Sequence, residues 1–597
     1  MNLSAVYHRC QDNMCYACSY DELAVCLRTG KDITAVYLHW DDPMNAEMFG
    51  QPWQWRGQRM AVPDCAQTRL HKYWTAVIAP PYRRCSYFFE LQSGGEITYL
   101  FEDRFYRPDE LILKGRKLQC FTFPWMNPSD INSVPAWVRD TCWYQIFPDR
   151  FCRSTQNTAA LAGGKLSSWG ENPQTGREFY GGDLRGILDR LPCLAELGIN
   201  GLYLTPIFKA GSSHRYDTLD YYEVDPSLGS LNDLKLLVAE SHRRGIRVML
   251  DGVFNHCSVR LLQWQDVMKK GKESRYWDWF MINRWPFDKE DFWTYDGKYY
   301  SFHFTAFMPK LNTNCPELAD YLASACEYWI RECDIDGFRL DVANELSHSF
   351  CKLLKNRLKA VKPDFFLLGE IWHDSMPWLR GDELDSVMDY PFRDAILQFF
   401  TVKGTAAQEL AFDLNHCFLR YMKQNVTSLF HMLDSHDTMR LYTSLGDDEN
   451  AYCQSMVLLY TLPGTPCIFY GSELPMSGGP DPDCRRCMPW EDIRSAGEGS
   501  VFTLLQDLIR LRRQLSALAL GQLRFPRICG SASGLRDEAA NSRVLYFERR
   551  TKSQCVSVCI NAGNCPCRIP AAKDRRLLSK YCSGSQMFPG GFCICLH

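Results

Sequence analysis

Between residues 136 and 515, short apolar runs of strand length alternate with amphipathic stretches of helix length, and this alternation constrains the fold more than any other feature. Ser230 and Pro316 mark the starts of two such helices. The eight candidate strands are residues 143–146, 201–204, 247–250, 337–340, 365–368, 386–388, 428–432 and 465–469. Eight strand–helix units predict an α/β protein with a (β/α)₈ TIM barrel, and a doubly wound open sheet is the competing fold.

The chain on either side of this region has a β-rich pattern. Residues 1–125 contain alternating apolar residues and a hairpin signal at Gly94-Gly95, so they predict an N-terminal β-sandwich. Residues 520–597 predict a smaller C-terminal β-sandwich. The barrel should therefore span residues 136–515. Its third strand is followed by an unusually long connection, which predicts a small inserted subdomain at residues 257–312.

Charge and composition exclude several classes of protein. The net charge is −3 and charged residues are interspersed, so no basic tract points to nucleic acid. No apolar run reaches the roughly 18 residues of a membrane helix, and the N-terminus lacks a secretory pattern. We therefore expect a cytoplasmic protein without a membrane partner. The 28 cysteines are mostly scattered singly in apolar stretches and are expected to be buried thiols, and Cys484 and Cys487 lack the second ligand pair of a zinc site.

Four acidic residues stand just beyond predicted strands, and in a barrel such positions meet at one mouth. They are Asp251, Asp341, Glu370 and Asp437. A single acid in such a place is as often a helix cap as a catalytic group. Four acids accompanied by Arg339, His256 and His436 are difficult to explain as caps, and they predict an active site.

Paired carboxyl groups suit the hydrolysis of a glycosidic bond with retention of configuration. That reaction needs a nucleophilic carboxylate and a protonated carboxylic acid about 5–5.5 Å apart. Arg339 lies two residues before Asp341 on one strand face, so we expect its guanidinium to keep Asp341 ionised as the nucleophile. Glu370 follows the next strand. Repulsion from Asp341 and an apolar setting should keep it protonated as the donor.

Four stretches resemble the sequence regions of the alpha-amylase superfamily. They are Asp251-Gly-Val-Phe-Asn255-His256, Gly337-Phe-Arg339-Leu-Asp341, Gly369-Glu370 and Ser435-His436-Asp437. A closer resemblance is to the neopullulanase, cyclomaltodextrinase and maltogenic amylase group. It rests on Met308-Pro-Lys-Leu-Asn312, Val342-Ala-Asn-Glu345, the stretch that begins Glu370-Ile-Trp372, and residues 478–487. The resemblance extends over essentially the whole chain.

The resemblance implies specific roles for these residues. Asp341 would be the nucleophile, Glu370 the general acid/base and Asp437 a stabiliser of the transition state. The implied substrate-binding residues are Arg339, His256, His436, Tyr216, Asp251, Asn255, Glu345 and Trp372. The implied reaction is hydrolysis of α-1,4 and some α-1,6 glucosidic bonds in cyclodextrins, pullulan and maltooligosaccharides, together with transglycosylation. The implied assembly is a homodimer formed through the N-terminal domain.

Two alternative functions stay open at this point. One is an oligo-1,6-glucosidase or a glucosyl-transferring or isomerising relative, and the other is a noncatalytic glucan-binding protein. The resemblance also leaves calcium open, because some relatives carry a calcium site near the first barrel strand. Here residues 151–157 lack the carboxylates that such a site needs, although Asp183 remains. We therefore expect no required cofactor and no metal ion.

Overall fold

A closed barrel of parallel strands forms the centre of the protein. The computed structural model describes residues 1–46, 55, 57–63, 65–112, 119–155, 166–287, 292–494, 497, 499–526, 543–570 and 574–597. The barrel strands are β1 (Trp143–Ile146), β2 (Gly201–Leu204), β3 (Arg247–Gly252), β4 (Gly337–Leu340), β5 (Phe366–Gly369), β6 (Ser386–Val387), β7 (Phe430–Met432) and β8 (Thr465–Phe469). Neighbours follow the order β6-β5-β4-β3-β2-β1-β8-β7, and a parallel bridge from Met388 to Phe430 joins the two ends. The predicted barrel is confirmed, and the open sheet is excluded.

Side chains along the barrel strands alternate between the interior and the helices outside. Trp143, Tyr203 and Met249 share a buried cluster with Phe366 and Phe430 inside the barrel. Intervening residues, such as those at 202, 204, 248 and 250, belong to the large core against the helices. The same alternation places Asp251 and Arg339, which are paired in register across β3 and β4, on the inner face.

Within the described residues, eight long helices surround the barrel. They are α1 (Leu184–Leu197), α2 (Leu231–Arg243), α3 (Pro316–Cys333), α4 (His348–Val361), α5 (Tyr390–Thr401), α6 (Ala407–Leu419), α7 (Glu449–Thr461) and α8 (Val501–Gln514). Ser230 caps α2 in a reciprocal capping box with Asp233, as its sequence position predicted. Gly245 lies just beyond that helix with a φ of +72°. The apolar stripe predicted for α3, which includes Leu318 and Trp329, is buried.

The connection between β5 and β6 differs from the predicted strand–helix pattern. Residues 370–385 are all described, and they contain the 3₁₀ turn Met376–Trp378 in place of an α-helix. Gly381 has a φ of +116°, a backbone conformation that an α-helix does not contain, so no helix continues beyond this turn. This segment contacts the N-terminal region, because Arg380 pairs with Asp12 at 2.8 Å. The prediction of eight equivalent units is wrong at this connection.

Two antiparallel sheets pack face to face in the N-terminal region and form the predicted sandwich. The first sheet contains Cys15–Ala17, Leu23–Gly30, His71–Ile78 and Cys65–Gln67. The second contains Gln58–Ala61, Ala35–Asp41, Cys85–Ser93, Glu96–Leu100, Phe105–Tyr106 and Phe121–Phe123. The hairpin at Gly94-Gly95 is confirmed, and both glycines have positive φ, as a tight two-residue turn requires.

The N-terminal sandwich contacts one side of the barrel, near the β5–β6 connection and α6. The side chain of Asn13 donates to the carbonyl of Leu419 over 2.8 Å, and the hydroxyl of Tyr16 accepts from the backbone N–H of Lys423 over 3.0 Å. On the surface, Arg69 forms a two-pronged ion pair with Asp413. These contacts attach the sandwich directly to the barrel.

The region predicted as an inserted subdomain contains little regular structure. It contains the helix Leu262–Lys270 and the 3₁₀ turns Gly271–Glu273, Trp277–Trp279 and Phe302–Phe304, while residues 288–291 lie outside the described part. Buried aromatic side chains hold it together. Trp264 packs edge-on against Phe280 and Tyr299, with ring centroids 4.8 and 5.0 Å away.

The C-terminal region forms an antiparallel sheet. Its strands are Gln522–Arg524, Val544–Arg550, Cys555–Asn561, Cys567–Arg568, Arg575–Ser583 and Gln586–Leu596. Residues 527–542 and 571–573 of this predicted domain lie outside the described part. The sheet contacts α7, where the Gln454 amide donates to two backbone carbonyls of the sheet region. The domain borders given above stay predictions.

Among the described residues, no helix is long and apolar enough to cross a membrane.

Candidate active site

The predicted site residues meet at the carboxyl ends of the barrel strands. Asp251 is part of β3, Asp341 directly follows β4, and Glu370 directly follows β5. Asp437 lies in the loop after β7. The closed barrel therefore brings together four acids that are up to 186 positions apart in the sequence.

The guanidinium of Arg339 is the centre of this cluster. Its Nη1 lies 2.9 Å from Asp251 Oδ1 and 2.8 Å from Asp341 Oδ1. Its Nη2 lies 3.0 Å from Glu370 Oε2 and 4.0 Å from Asp437 Oδ2. Arg339 is fully buried. One buried positive charge therefore faces four carboxyl groups, which leaves an excess of negative charge when all four are ionised.

Burial and mutual repulsion raise pKa values in this cluster. Burial raises the pKa of Asp251 to about 6, against the opposing effect of Arg339. Burial also raises the pKa of Asp341, and the nearby Glu370 adds to the rise. Arg339 opposes this rise, but burial outweighs it, so the prediction that Arg339 keeps Asp341 ionised is not supported. The cluster as a whole therefore retains a proton to higher pH than exposed carboxyl groups would.

Glu370 has a fixed position because both of its carboxylate oxygens accept hydrogen bonds. The backbone N–H of Val342 donates to Oε2 over 2.9 Å, and Trp372 Nε1 donates to Oε1 over 3.0 Å. Val342 has a φ of +46°, which is costly for a β-branched residue. One face of Trp372 stacks on Tyr390 at 3.5 Å, yet the residue is 49% exposed. An open aromatic surface therefore lies beside Glu370.

Asp437 is held by two other side chains of the site. Its Oδ1 accepts from Arg485 Nη2 over 3.2 Å, and its Oδ2 lies 3.1 Å from His436 Nε2. The other ring nitrogen of His436 contacts the side-chain amide of Gln145 at 2.7 Å. Burial, aided by Arg485 and Arg339, lowers the pKa of His436 well below its ordinary value. His436 is therefore neutral at physiological pH and can donate or accept a hydrogen bond.

Tyr216 provides a flat surface beside the acids. Its ring lies parallel to that of His436, with centroids 5.5 Å apart and planes 5° apart. Its hydroxyl donates to Asp251 Oδ2 over 3.1 Å and also contacts His436. The ring is partly exposed, and the role of sugar platform that the resemblance implies for it stays a prediction.

The remaining predicted residues lie at the edge of the inserted region. His256 is fully buried and stacks on Phe302 at 4.5 Å, and burial lowers its pKa to about 3. Lys310 contacts the side-chain oxygen of Asn255 and pairs with Glu345 at 2.9 Å. All eleven predicted site residues are thus at or around one mouth.

Sequence reasoning did not single out several residues of this site. Tyr203 donates to Asp251 over 2.6 Å from the inner face of β2, and only the period of that strand could have indicated it. Arg485 and Lys310 lie inside stretches quoted for the resemblance, but no role was assigned to them. Arg485 lies in the loop between Cys484 and Cys487. The Cys484 thiol of this loop donates to the carbonyl of His436 over 3.3 Å.

Asp183, the acid that remains near the first barrel strand, accepts hydrogen bonds from backbone groups. One of its carboxylate oxygens accepts from the backbone N–H of Gly186 over 2.6 Å and the other from Ser154 over 3.2 Å. Both oxygens thus serve as caps for backbone groups, an arrangement that does not fit a cation ligand. Gln156 and Asn157 of the same loop lie outside the described residues. Among the residues that are described, no group of three or more His, Cys, Asp or Glu side chains could hold a metal ion.

Comparison with known sequences assigns this arrangement to a family. The profile described as "Alpha amylase, catalytic domain" matches residues 145–507, and that described as "Alpha amylase, N-terminal ig-like domain" matches residues 1–127. The chain belongs to the alpha-amylase family. It is accordingly an alpha-amylase family glycoside hydrolase, which confirms the predicted family and class of enzyme.

Relatives within the alpha-amylase family match the chain over most of its length. A protein named cyclomaltodextrinase from Geobacillus thermopakistaniensis is 42% identical over 582 residues, which cover 96% of this chain and 94% of the relative. Neopullulanase 2 from Thermoactinomyces vulgaris is 36% identical over 565 residues, which cover 94% of this chain and 91% of the relative. A solved structure named cyclomaltodextrinase superposes with a TM-score of 0.86 at 37% identity. The match covers 100% of this chain and 98% of that structure's chain. These matches confirm the predicted subgroup and fold class.

Proposed function

We propose that this enzyme hydrolyses α-1,4 and some α-1,6 glucosidic bonds in cyclodextrins, pullulan and maltooligosaccharides with retention of configuration. One observation carries the proposal. The two terminal nitrogens of Arg339 lie 2.8 Å from Asp341 Oδ1 and 3.0 Å from Glu370 Oε2 at the barrel mouth. Two carboxyl groups at one mouth are what cleavage of a glycosidic bond needs, and retention requires them to lie about 5–5.5 Å apart. The names of the relatives, cyclomaltodextrinase and neopullulanase, support the substrates.

The proposed reaction proceeds through a covalent intermediate. In the described part of the chain, Oδ2 of Asp341 is buried without a hydrogen-bond partner, so its lone pairs are available for attack on the anomeric carbon. As that bond forms, Glu370 gives its proton to the departing glycosidic oxygen. Water then attacks the glucosyl–Asp341 ester, and Glu370 takes up one proton from that water.

The other predicted residues support the sugar in this proposal. Asp437, held by Arg485 and His436, stabilises the positive charge that develops at the anomeric centre. Tyr216 lies under the sugar ring, and neutral His256 bonds its hydroxyl groups. Trp372 and Glu345 lie on the leaving-group side. The open face of Trp372 beside Glu370 would bind an acceptor sugar in place of water, which supports transglycosylation.

The central experiment compares the wild type with Asp341→Asn on γ-cyclodextrin, pullulan and soluble starch. We expect the wild type to open the ring fastest and release α-anomers, while the variant loses activity. Asp507→Asn, a change to a surface acid that pairs with Arg510, is the matched control and should retain activity. An active Asp341→Asn variant would refute the mechanism. Much faster degradation of starch than of the ring would refute the proposed preference.

Product analysis on maltotriose separates this function from its alternatives. Glucose, maltose and a smaller share of longer oligosaccharides are expected. Trehalose or isomaltose-type products as the main outcome would favour an isomerising or transferring enzyme, and binding without cleavage would favour a noncatalytic protein.

We also propose a cytoplasmic homodimer formed through the N-terminal sandwich. The resemblance supports the dimer, and a Bacillus subtilis relative named intracellular maltogenic amylase, 39% identical, supports the location. Sedimentation of the full chain tests the assembly. A monomer at micromolar concentration would contradict it.

A further inference from the structure

A pocket of about 330 Å³ lies on the outside of the barrel, and none of its lining residues belongs to the catalytic mouth. It opens between the turn Trp277–Trp279 and the first turns of helix α3. Its lining includes Tyr222, Arg275, Tyr276, Trp279, Glu317 and Tyr321. The volume is at the lower end of the roughly 300–1,000 Å³ of small-molecule sites, so it suits a short oligosaccharide segment.

Aromatic rings form the walls of this pocket. Trp279 contacts Tyr276 and Tyr321, with ring centroids 4.9 and 5.1 Å away, and Tyr222 lies 5.6 Å from Tyr321. Trp279 is buried, whereas the three tyrosines are partly exposed. The rigid contacts between the rings fix open aromatic surfaces in place. Such surfaces suit the C–H faces of sugar rings, which are apolar although their edges carry hydroxyl groups.

The charged groups of the pocket form ion pairs. Glu317 pairs with Arg275 at 2.5 Å and accepts from Trp279 Nε1 over 3.3 Å. Asp320 pairs with Arg357, also at 2.5 Å. Arg357 does not line the pocket and is shared with Glu327 at 2.6 Å, so acids outnumber bases here and a phosphate would be repelled. The paired carboxylates still offer acceptor lone pairs to hydroxyl groups. A neutral, hydroxyl-rich ligand fits this chemistry best.

A short segment of chain joins this pocket to the catalytic mouth. The backbone N–H of Asn312 donates to the carbonyl of Trp279 over 2.8 Å, and that of Leu311 donates to the carbonyl of Asn255 over 2.9 Å. Residues 311 and 312 thus contact the pocket wall on one side and the mouth on the other.

We propose that this pocket is a noncatalytic binding site for glucosyl units of an α-glucan. It retains a long substrate on the enzyme while another part of that substrate occupies the mouth, and so it raises the local substrate concentration. The proposal rests on the proposed function in one respect, since it takes the ligand from the same class as the substrate. Tyr276, one of the partly exposed aromatic walls, is the ring that the proposal assigns to stacking on the sugar.

Calorimetric titration with maltotriose tests the proposal, using Asp341→Asn enzyme so that the ligand is not consumed. We expect two classes of binding site. Adding Tyr276→Ala should weaken the second class about tenfold, the loss typical of a truncated aromatic anchor. Tyr276→Phe, which keeps the ring, should restore it. Asp320→Ala provides a second variant at an exposed position and should also weaken this class.

The controls make each outcome decisive. Binding at the mouth reports the fold of every variant, and Tyr581→Ala, a change of an exposed tyrosine in the C-terminal region, should leave both classes unchanged. A single class of sites, or a second class that Tyr276→Ala does not weaken, would overturn the proposal. With the native catalytic residues, Tyr276→Ala should raise KM for soluble starch more than KM for maltotriose, and equal changes would count against the pocket.

Different results would refute the proposed pocket and the proposed function. If wild-type enzyme cleaves glucans but binding shows one class, the pocket is refuted and the function stands. If two classes are present and sensitive to Tyr276 but no glucan is cleaved, the function is refuted and the pocket stands. If no glucan binds at either place, both are refuted.

Discussion

The indole N–H of Trp372 donates a hydrogen bond to Oε1 of Glu370 over 3.0 Å while the indole ring stacks on Tyr390. Trp372→Phe preserves the stacking and removes the donor, so we expect kcat to fall about tenfold, as for a lost hydrogen bond to a charged group. Trp372→Ala also removes the open face and should raise KM for maltotriose. Steady-state kinetics of both variants test this. An unchanged kcat for Trp372→Phe would show that the hydrogen bond does not matter in catalysis.

Removing the proposed acid should slow cleavage by an amount that depends on the leaving group of the substrate. We expect Glu370→Gln to reduce kcat on maltotriose by about 10²–10⁴-fold, the usual contribution of general acid catalysis. Formation of the glycosyl–enzyme from α-maltosyl fluoride should be far less affected, because fluoride departs without a proton. Azide, which attacks without a general base, should then speed the release of product as maltosyl azide. Equal losses on both substrates would contradict the role of Glu370.

Tyr216 combines a stacking surface with a hydrogen-bonding hydroxyl, and two variants separate these properties. Tyr216→Phe retains the ring beside His436 but loses the bond to Asp251, so kcat/KM should fall about tenfold. Tyr216→Ala removes the ring as well and should be at least about tenfold worse again. Kinetics on maltotriose provide the measurement. Equal effects of the two variants would assign the whole role to the hydroxyl.

Glu473 gives the stability of the barrel a specific pH dependence. It is buried, it accepts from Tyr144 over 2.6 Å, and burial raises its pKa from 4.5 to about 6. The folded protein therefore binds this proton more tightly than the unfolded chain. The resulting stability is fully present below about pH 4.5 and is lost as the pH rises through about 6, which amounts to about 2 kcal/mol.

Glu473→Gln removes this titration. Relative to the variant, the wild type should lose about 2 kcal/mol of unfolding free energy between pH 4 and pH 7. Urea unfolding of both proteins at the two pH values provides the measurement. A difference between the proteins that is the same at both pH values would show that Glu473 does not titrate in this range.

The cysteines should behave as thiols. No disulfide joins cysteines in the described part of the chain, so unfolded, unreduced protein should titrate close to 28 thiols. In the native protein, Cys565 is exposed and should react first with a thiol reagent, and Cys565→Ser should remove that fast phase. A titration that returns far fewer thiols would contradict the reduced state.

The barrel was predictable because its signals are local and repeated. Each strand is a short apolar run, and helix ends such as Ser230 carry their own capping residues. The acids at strand ends were predictable for the same reason, since a closed barrel gathers those ends whatever the length of the connections. Asp341 and Glu370 thus required only correct strand assignments.

Other features depend on contacts that a local pattern does not contain. Arg485 reaches Asp437 from a loop 48 positions later, and nothing in its neighbours indicates that contact. Likewise, burial raises the pKa of Asp341 and Arg339 lowers it, and which effect is larger depends on how tightly the mouth encloses both side chains. The assignments of catalytic roles stay predictions, because position alone does not test them.

Because no α-helix connects β5 to β6, the N-terminal sandwich packs against barrel surface that such a helix would otherwise cover. Arg380 and Leu379 of that connection contact Asp12 and Asn132, and α6 contacts Asn13 and Arg69. The sandwich therefore covers a stretch of the barrel that its own ring of helices leaves open. A shortened chain that begins at the barrel would expose this flank to solvent. For protein engineering, the sandwich is thus a part of the catalytic scaffold and cannot be exchanged like an independent binding module.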